Sequence, residues 1–323
     1  VFGRGYVALL AVLVLALTAL GVFAYGWYGS SEVEEDTPFV VTSGSTLTQV
    51  AAELEQQGLI ASADGFLLRA KVFGGSGHIQ AGEFLIPAGA SPASILQAFQ
   101  DGDVIRRYVT IPEGMPSIMV QERLMAEPLL TGEIPVPDEG SILPDTYDFE
   151  RGESRAAVLK RMQAAMDDTL AELWAKRGPD IAVSTPREAV ILASIVEKET
   201  GVPGERRLVA GLYSNRVKEG MLLQADPTII YPITRGKPLG RRIRQSEIAA
   251  INDYNTYTMT GLPRGPITNP GRASIAAVLN PAKTQALYMV ADGSGGHLFA
   301  DTLEQHNRNV EKWFALRRQR GEM

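Results

Sequence analysis

Tyr6 to Tyr28 is a run of about 23 residues without one charged side chain, and at 1.5 Å rise per residue it makes roughly 34 Å of helix. That length spans the hydrocarbon core of a bilayer, so residues 6–28 are expected to cross a membrane. A cleaved secretory signal is the competing reading, but its apolar core normally covers only about 7–15 residues. Tyr25, Trp27 and Tyr28 suit an interfacial aromatic belt, where cleavage would favour small residues. Charge sets the orientation: Arg4 precedes the span, Glu32, Glu34, Glu35 and Asp36 come after it, and the next basic residue is Arg69. Residues 1–5 are therefore expected to stay inside as a short cytoplasmic tail, with 29–36 as a linker and everything beyond residue 30 exported.

Composition excludes several classes. Acids and bases are interspersed at a net charge of -6, and the one basic cluster of note is Arg241, Arg242 and Arg244, so no nucleic-acid partner is expected. The absence of cysteine removes disulfides, thiolate metal sites and a cysteine nucleophile. His78, His297 and His306 are the only imidazoles and carry no HExxH spacing, so neither a metal nor a cofactor is expected. The glycine-rich strings Gly74-Gly75-Ser76-Gly77 and Gly293 to Gly296 lack a following Lys-Ser or Lys-Thr and read as turns.

Between residues 37 and 125 a short extended run meets a glycine and then an amphipathic helix, three times over. Phe39-Val40-Val41 leads through Gly44 to Val50 and Leu54; Phe84-Leu85-Ile86 through Gly89 to Ile95 and Phe99; Tyr108 to Ile111 through Gly114 to Val120 and Leu124. The positions six and ten after each glycine form an apolar i, i+4 pair. A degenerate repeat and the ordinary texture of a small α+β domain account for this equally well. Ser45 or Thr46, and Ser91 before Pro92, have the chemistry of helix N-caps. Residues 37–107 resemble a LysM-type module, a short β-α-α-β unit used for binding glycans, on the strength of Val41-Thr42-Ser43-Gly44-Ser45-Thr46-Leu47 followed by a helix.

Further along, Glu153 to Lys176 has helical periodicity and ends near Gly178-Pro179. Ser184-Thr185 before Pro186 opens a second helix, apolar nearly all round and therefore buried, that runs to about Thr200. Its end reads Ser194-Ile195-Val196-Glu197-Lys198-Glu199-Thr200. Glutamates two residues apart point to nearly opposite sides of a helix, so one can face a cleft while the other meets solvent or a salt bridge. Beyond this helix lie several polar strings: Gln224-Ala225-Asp226-Pro227-Thr228, Tyr254-Asn255-Thr256-Tyr257, Gly261-Leu262-Pro263, Asn269-Pro270-Gly271 and Asp292 to His297. Amide, phenol and hydroxyl donors on rigid turns are the material of a cleft that hydrogen-bonds and stacks on sugars.

With Leu143-Pro144-Asp145-Thr146-Tyr147 and His306-Asn307 added, these strings make the chain resemble the endolytic murein transglycosylase family, also called YceG-like proteins. The resemblance implies an α+β chain with a single transmembrane helix, a LysM-like module and a catalytic domain over 108–323. It implies an inner-membrane protein with its catalytic domain in the periplasm, acting on peptidoglycan glycan strands, with peptidoglycan synthases as candidate partners. It further implies that Glu199 is the essential acid: it protonates the bond between N-acetylmuramic acid and N-acetylglucosamine, then as carboxylate takes the proton of the muramyl 6-hydroxyl, leaving a 1,6-anhydro end. Ordinary glycosidases need two carboxylates; this chemistry needs one, with a raised pKa that burial can supply. Arg264 stands where the family commonly has a second proline, and Ala225 where it has a small polar residue.

Gln224, Asp226, Tyr254, Asn255, Tyr257 and His297 are the candidate substrate-binding residues, whereas His306 reads as a surface-helix residue. Asp226 before Pro227 is also a turn former and Asn255 a potential loop holder. Two other functions stay open: a non-catalytic, membrane-anchored glycan-binding scaffold, and a hydrolase using Asp226 as a second carboxylate.

Overall fold

The computed structural model describes residues 4–31, 33–75 and 77–322. The start of the expected cytoplasmic tail, Glu32 of the acidic flank and Ser76 of the first glycine-rich string lie outside the described residues. The architecture is mixed α+β in two units, Val1–Arg107 and Tyr108–Met323.

Helix α1 (Arg4–Tyr28) opens the first unit. Gly5–Tyr28 is long and apolar enough to cross a membrane, and Leu9 and Leu15 are about 70% exposed, as lipid-facing residues would be without lipid. Its last turn behaves differently. Trp27 is buried, with its ring 5.5 Å from Phe66, and Arg69 Nε donates to the Phe23 carbonyl at 3.0 Å. The expected aromatic belt is therefore split: Tyr25 and Tyr28 are exposed, whereas Trp27 is a core residue that fixes the helix end to the unit.

Strand β1 (Thr37–Val41), helices α2 (Leu47–Gln56) and α3 (Ala63–Phe73), and strand β2 (Gly82–Ile86) come next in the order β-α-α-β, then α4 (Pro92–Asp101). β1 and β2 pair antiparallel with Phe39 opposite Phe84. Alternation decides the faces: Phe39, Val41, Phe84 and Ile86 are buried while Val40 and Leu85 point outward. Phe99 of α4 closes the core against the Phe84 ring, 4.8 Å between centroids.

Strand β3 (Arg107–Thr110) leads into the second unit, followed by α5 (Ser117–Met125), β4 (Thr146–Phe149) and α6 (Arg155–Ala175). Then come α7 (Pro186–Glu199), α8 (Arg206–Lys218), α9 (Asp226–Thr234), α10 (Gln245–Ile248), α11 (Arg272–Leu279), the hairpin β5 (Tyr288–Ala291) and β6 (His297–Ala300), and α12 (Leu303–Gln319). β3 pairs with β4. Two cores share α6: Val158 and Met162 face Val120, Leu124 and Phe149, while Met166 faces α7, α8 and α11. Gly293 to Gly296 form the hairpin turn, where the Asp292 carboxylate accepts from the Ser294 and Gly296 amides.

The three glycine-centred units are real as local structure. Gly44, Gly89 and Gly114 all have φ between +70° and +84°, where only glycine sits without strain. The residues six and ten beyond each, Val50 and Leu54, Ile95 and Phe99, Val120 and Leu124, are all buried. Thr46 and Ser91 cap their helices through side-chain oxygens; the third helix starts at Pro116 with no side-chain cap. The first two units lie in the first unit of the fold, and the third opens the second.

Candidate active site

Helix α7 is the axis of the site. Thr185 caps it, with Pro186 at its first position, and Ala189 to Val196 are buried on all sides. Ser194, inside this apolar helix, is satisfied locally: Oγ donates to the Ile191 carbonyl at 2.7 Å and accepts from the Ile267 amide at 3.1 Å.

Glu197 and Glu199 leave the last turn in different directions. The Glu197 carboxylate accepts from the Gly271 amide at 2.9 Å, at the N-cap of α11, and faces the Arg206 guanidinium at 3.7 Å. It is a buried structural anchor. Glu199 lines a cavity of about 590 Å³. Its Oε1 is shielded from solvent and makes no hydrogen bond. Burial, reinforced by the negative charge of Asp226, pushes its pKa up to about 7, while the Tyr213 hydroxyl and the Arg216 guanidinium pull the other way.

Two of the polar strings are clipped together beside it. Thr228 and Thr256 share a buried hydroxyl contact of 2.9 Å, the Ala225 amide donates to Thr256 Oγ1 at 3.1 Å, and the Gln224 amide donates to the Thr256 carbonyl at 3.1 Å. This holds Gln224 in a left-handed conformation, φ 52°, at the cavity wall. It also brings Tyr257 to Asp226, whose Oδ1 accepts from the phenol at 2.5 Å. Burial and that carboxylate raise the Tyr257 pKa, so the phenol stays protonated.

Three of the residues expected at the substrate do not line the Glu199 cavity. Asn255 is fully buried: its amide donates to the carbonyls of Ile248 and Ala250 at 2.9 and 2.7 Å, and its Oδ1 accepts from the Tyr257 amide. It holds the loop that carries Tyr257. Tyr254 points into a different cavity, its ring 4.8 Å from that of Tyr231. His297 is taken up by Glu205, which accepts from its amide at 2.8 Å and pairs with Nδ1 at 2.9 Å.

Among the residues not singled out as substrate-binding, Tyr213, Arg216, Tyr288 and His306 line the Glu199 cavity. Tyr213 and Arg216 are three apart on α8, one helical face. Arg216 is buried, with Nε on the Leu287 carbonyl at 2.6 Å and Nη1 on that of Leu223 at 2.9 Å. His306 lies stacked on Tyr288, 5.3 Å between rings, with Nδ1 buried and unpartnered. Burial, and then the charge of Arg216, lower its pKa, which favours the neutral ring. The two histidines thus exchange their expected places, because the hairpin turn directs His297 to Glu205 while α12 returns across the cavity. An apolar cavity of about 460 Å³ abuts this one through Lys198, Pro227 and Ile230.

Among the described residues no group of three or more His, Cys, Asp or Glu side chains could hold a metal ion. The arrangement offers one carboxyl able to give and take a proton near neutral pH, a nearby fixed cation and an anion, and hydrogen-bonding walls.

The profile of the YceG-like family matches residues 39–312. The endolytic murein transglycosylase of Bacillus subtilis (strain 168) is 26% identical over 336 residues, covering 93% of this chain and 92% of that protein. That of Streptococcus pneumoniae serotype 2 (strain D39) is 28% identical over 363 residues, covering 95% of this chain and 65% of the other. The crystal structure of a yceG-like protein of Listeria monocytogenes superposes with a TM-score of 0.52 at 25% identity, over 85% of this chain and 99% of that one. With the family profile spanning most of its length, the chain belongs to the YceG-like family.

Proposed function

We propose that this chain is an endolytic murein transglycosylase whose single catalytic group is Glu199. The observation that carries this reading is a carboxyl with its pKa lifted to about 7, inside a cavity large enough for sugar residues. Such a group is present in both protonation states at neutral pH, as a residue that is first acid and then base must be.

In the first half-reaction the Glu199 carboxyl gives its proton to the glycosidic oxygen, the bond from muramyl C1 to that oxygen breaks, and N-acetylglucosamine leaves with a free hydroxyl. Positive charge develops on the muramyl ring, where Asp226 and the newly formed Glu199 carboxylate oppose it. In the second half-reaction the muramyl 6-hydroxyl oxygen bonds to C1 and its proton returns to Glu199. A 1,6-anhydro ring closes and the acid is regenerated, with no net gain or loss of protons. Tyr213 and Arg216 favour the carboxylate, Asp226 and burial favour the acid, and their balance sets the pKa between the two tasks.

In this reading residues 108–323 are the catalytic domain. Residues 37–107, with their β-α-α-β order, are a LysM-like glycan-binding module. Residues 6–28 anchor the protein in the bacterial inner membrane, and Arg4 before the span, with no basic residue after it until Arg69, favours export of the chain beyond it. Peptidoglycan synthases are candidate partners.

Asp226 acts on Glu199 electrostatically, and this keeps a hydrolytic reading alive in which it assists a water molecule. Mass spectrometry of glycan strands digested by the wild-type protein and by Glu199→Gln decides. Anhydro-muramyl ends that vanish in the variant are expected. Reducing ends would replace transglycosylation by hydrolysis, and a Glu199→Gln protein that keeps its cellular effect would leave a scaffold.

A further inference from the structure

A second, polar cavity of about 340 Å³ lies at the other end of the two helices that build the Glu199 site. α7 presents Arg187 to it in its first turn and ends at Glu199, about 18 Å further along at 1.5 Å per residue. α9 starts with Asp226 in the Glu199 cavity and delivers Tyr231 and then its cap residue Arg235 to the second cavity. The helices therefore run in opposite senses with a cavity at each end.

The lining of this second cavity is chemically specific. Arg187 and Arg235 are exposed, and among the described residues neither guanidinium lies within ion-pair distance of a carboxylate or makes a side-chain hydrogen bond, although Arg235 acts on Glu139 electrostatically and Asp138 also lines the cavity. Elsewhere in the same unit Arg161, Arg241, Arg272 and Arg308 each hold a carboxylate. The Glu139 carboxyl in the cavity wall is already served by the protein: its Oε1 accepts from the Ser117 amide at 2.8 Å and from the Ser117 hydroxyl at 3.1 Å. Tyr231 and Tyr254 contribute a tilted ring pair. Gly265 forms the floor, where a Cβ would lie 3.3 Å from Tyr254 Oη and 3.7 Å from Arg187 Nη2. The phenol and the guanidinium converge on the space that this glycine leaves open.

Two guanidinium groups with no carboxylate within ion-pair distance, beside a hydroxyl and an aromatic pair, are suited to a carboxylate carried on a short peptide. We propose that this cavity binds the carboxylate-bearing peptide attached to a muramyl lactyl group of the strand being cut, away from the scissile bond; the inference rests on the reading of the chain as a murein-cleaving enzyme. A polymer laid along the exposed side of α9 then meets Glu199 at one end and Arg187 with Arg235 at the other.

The test uses the full chain in detergent micelles with Glu199→Gln, so that bound strands are not consumed. Its affinity is measured for peptide-bearing glycan strands and for the same strands stripped of peptide by an amidase. Peptide-bearing strands are expected to bind about tenfold more tightly. Arg187→Ala with Arg235→Ala should abolish that difference, and Gly265→Ala, which only adds a methyl group to the floor, should reduce it. Thermal unfolding monitors the fold; if the double arginine variant unfolds, Gly265→Ala and Arg187→Lys carry the test. Equal affinity for both kinds of strand, or a preference untouched by these substitutions, overturns the proposal. Cleavage by the protein with Glu199 intact is read separately. A chain that prefers peptide-bearing strands but cuts none of them overturns the enzymatic reading and leaves the binding site standing.

Discussion

Glu197 and Glu199 are two residues apart on the last turn of α7, yet one carboxylate is tied to the Gly271 amide and the other lies in a cavity with an oxygen that nothing in the protein satisfies. The helix geometry separates them by roughly 200° around the axis. One therefore fastens α11 to α7, and the other is free to act on a ligand.

Glu199→Gln keeps the size of the side chain but can neither give nor take the proton. General acid–base help is worth about 10²–10⁴-fold, and both half-reactions lose it, so activity should fall by at least the upper end of that range. Glu197→Gln should act mainly on the fold, lowering stability by about 1–3 kcal/mol through the weakened bonds to Gly271 and Arg206. Turnover per folded molecule and the unfolding midpoint of both variants separate the two roles. A dead Glu197→Gln beside a normal Glu199→Gln would reverse the assignment.

Stability should depend on pH through the same residue. The Glu199 carboxyl ionises near 4.5 when unfolded and near 7 when folded, so between those values the folded state holds a proton that the unfolded state has lost. Wild-type stability should therefore fall as pH rises from about 4.5 to 7 and level off above, by on the order of 3 kcal/mol. Glu199→Gln should lack this component and be the more stable protein at pH 8. Denaturant melts of both proteins at pH 4.5 and pH 8 check the sign.

The two histidines should respond in opposite ways. His306→Ala removes a neutral ring from the wall of the Glu199 cavity and should lower kcat/KM about tenfold or more, with little change in the unfolding midpoint. His297→Ala removes the partner of Glu205 and should cost about 1 kcal/mol of stability while turnover per folded molecule stays close to wild type. Paired kinetics and thermal melts of the two variants make the comparison.

Helix α1 should contribute to the fold of the first unit. Because Trp27 is buried against Phe66, a chain truncated to begin at residue 30 leaves a hole in the first unit, whereas one beginning at Phe23 keeps the indole. Loss of a buried aromatic side chain costs about 3–5 kcal/mol, so the shorter form should expose the first unit to proteolysis well before the longer one. Limited proteolysis monitored over time distinguishes them, and identical cleavage of the two forms would exclude a structural role for Trp27.

Periodicity and local stereochemistry were legible in the sequence because they depend on neighbours a few residues away. The apolar span, the glycine-centred units, a cap at Ser45 or Thr46 and another at Ser91, the buried helix ending near Glu199 and the pairs six and ten residues beyond each glycine all belong to this kind. Helix spacing alone also required Glu197 and Glu199 to part company. What the sequence did not contain was which distant groups would meet. Asn255 and Tyr257 lie in one polar string, yet the first is consumed by loop carbonyls and the second reaches Asp226, because the chain turns directly after Asn255. Tyr213 and Arg216 carry no motif and enter the site only because α8 packs against α7 with that face inward. His297 and His306 are told apart solely by where Glu205 and the return of α12 fall. The pKa that makes Glu199 usable is likewise a tertiary property, since burial and the charge of Asp226 both arise from chain segments far from α7 in sequence.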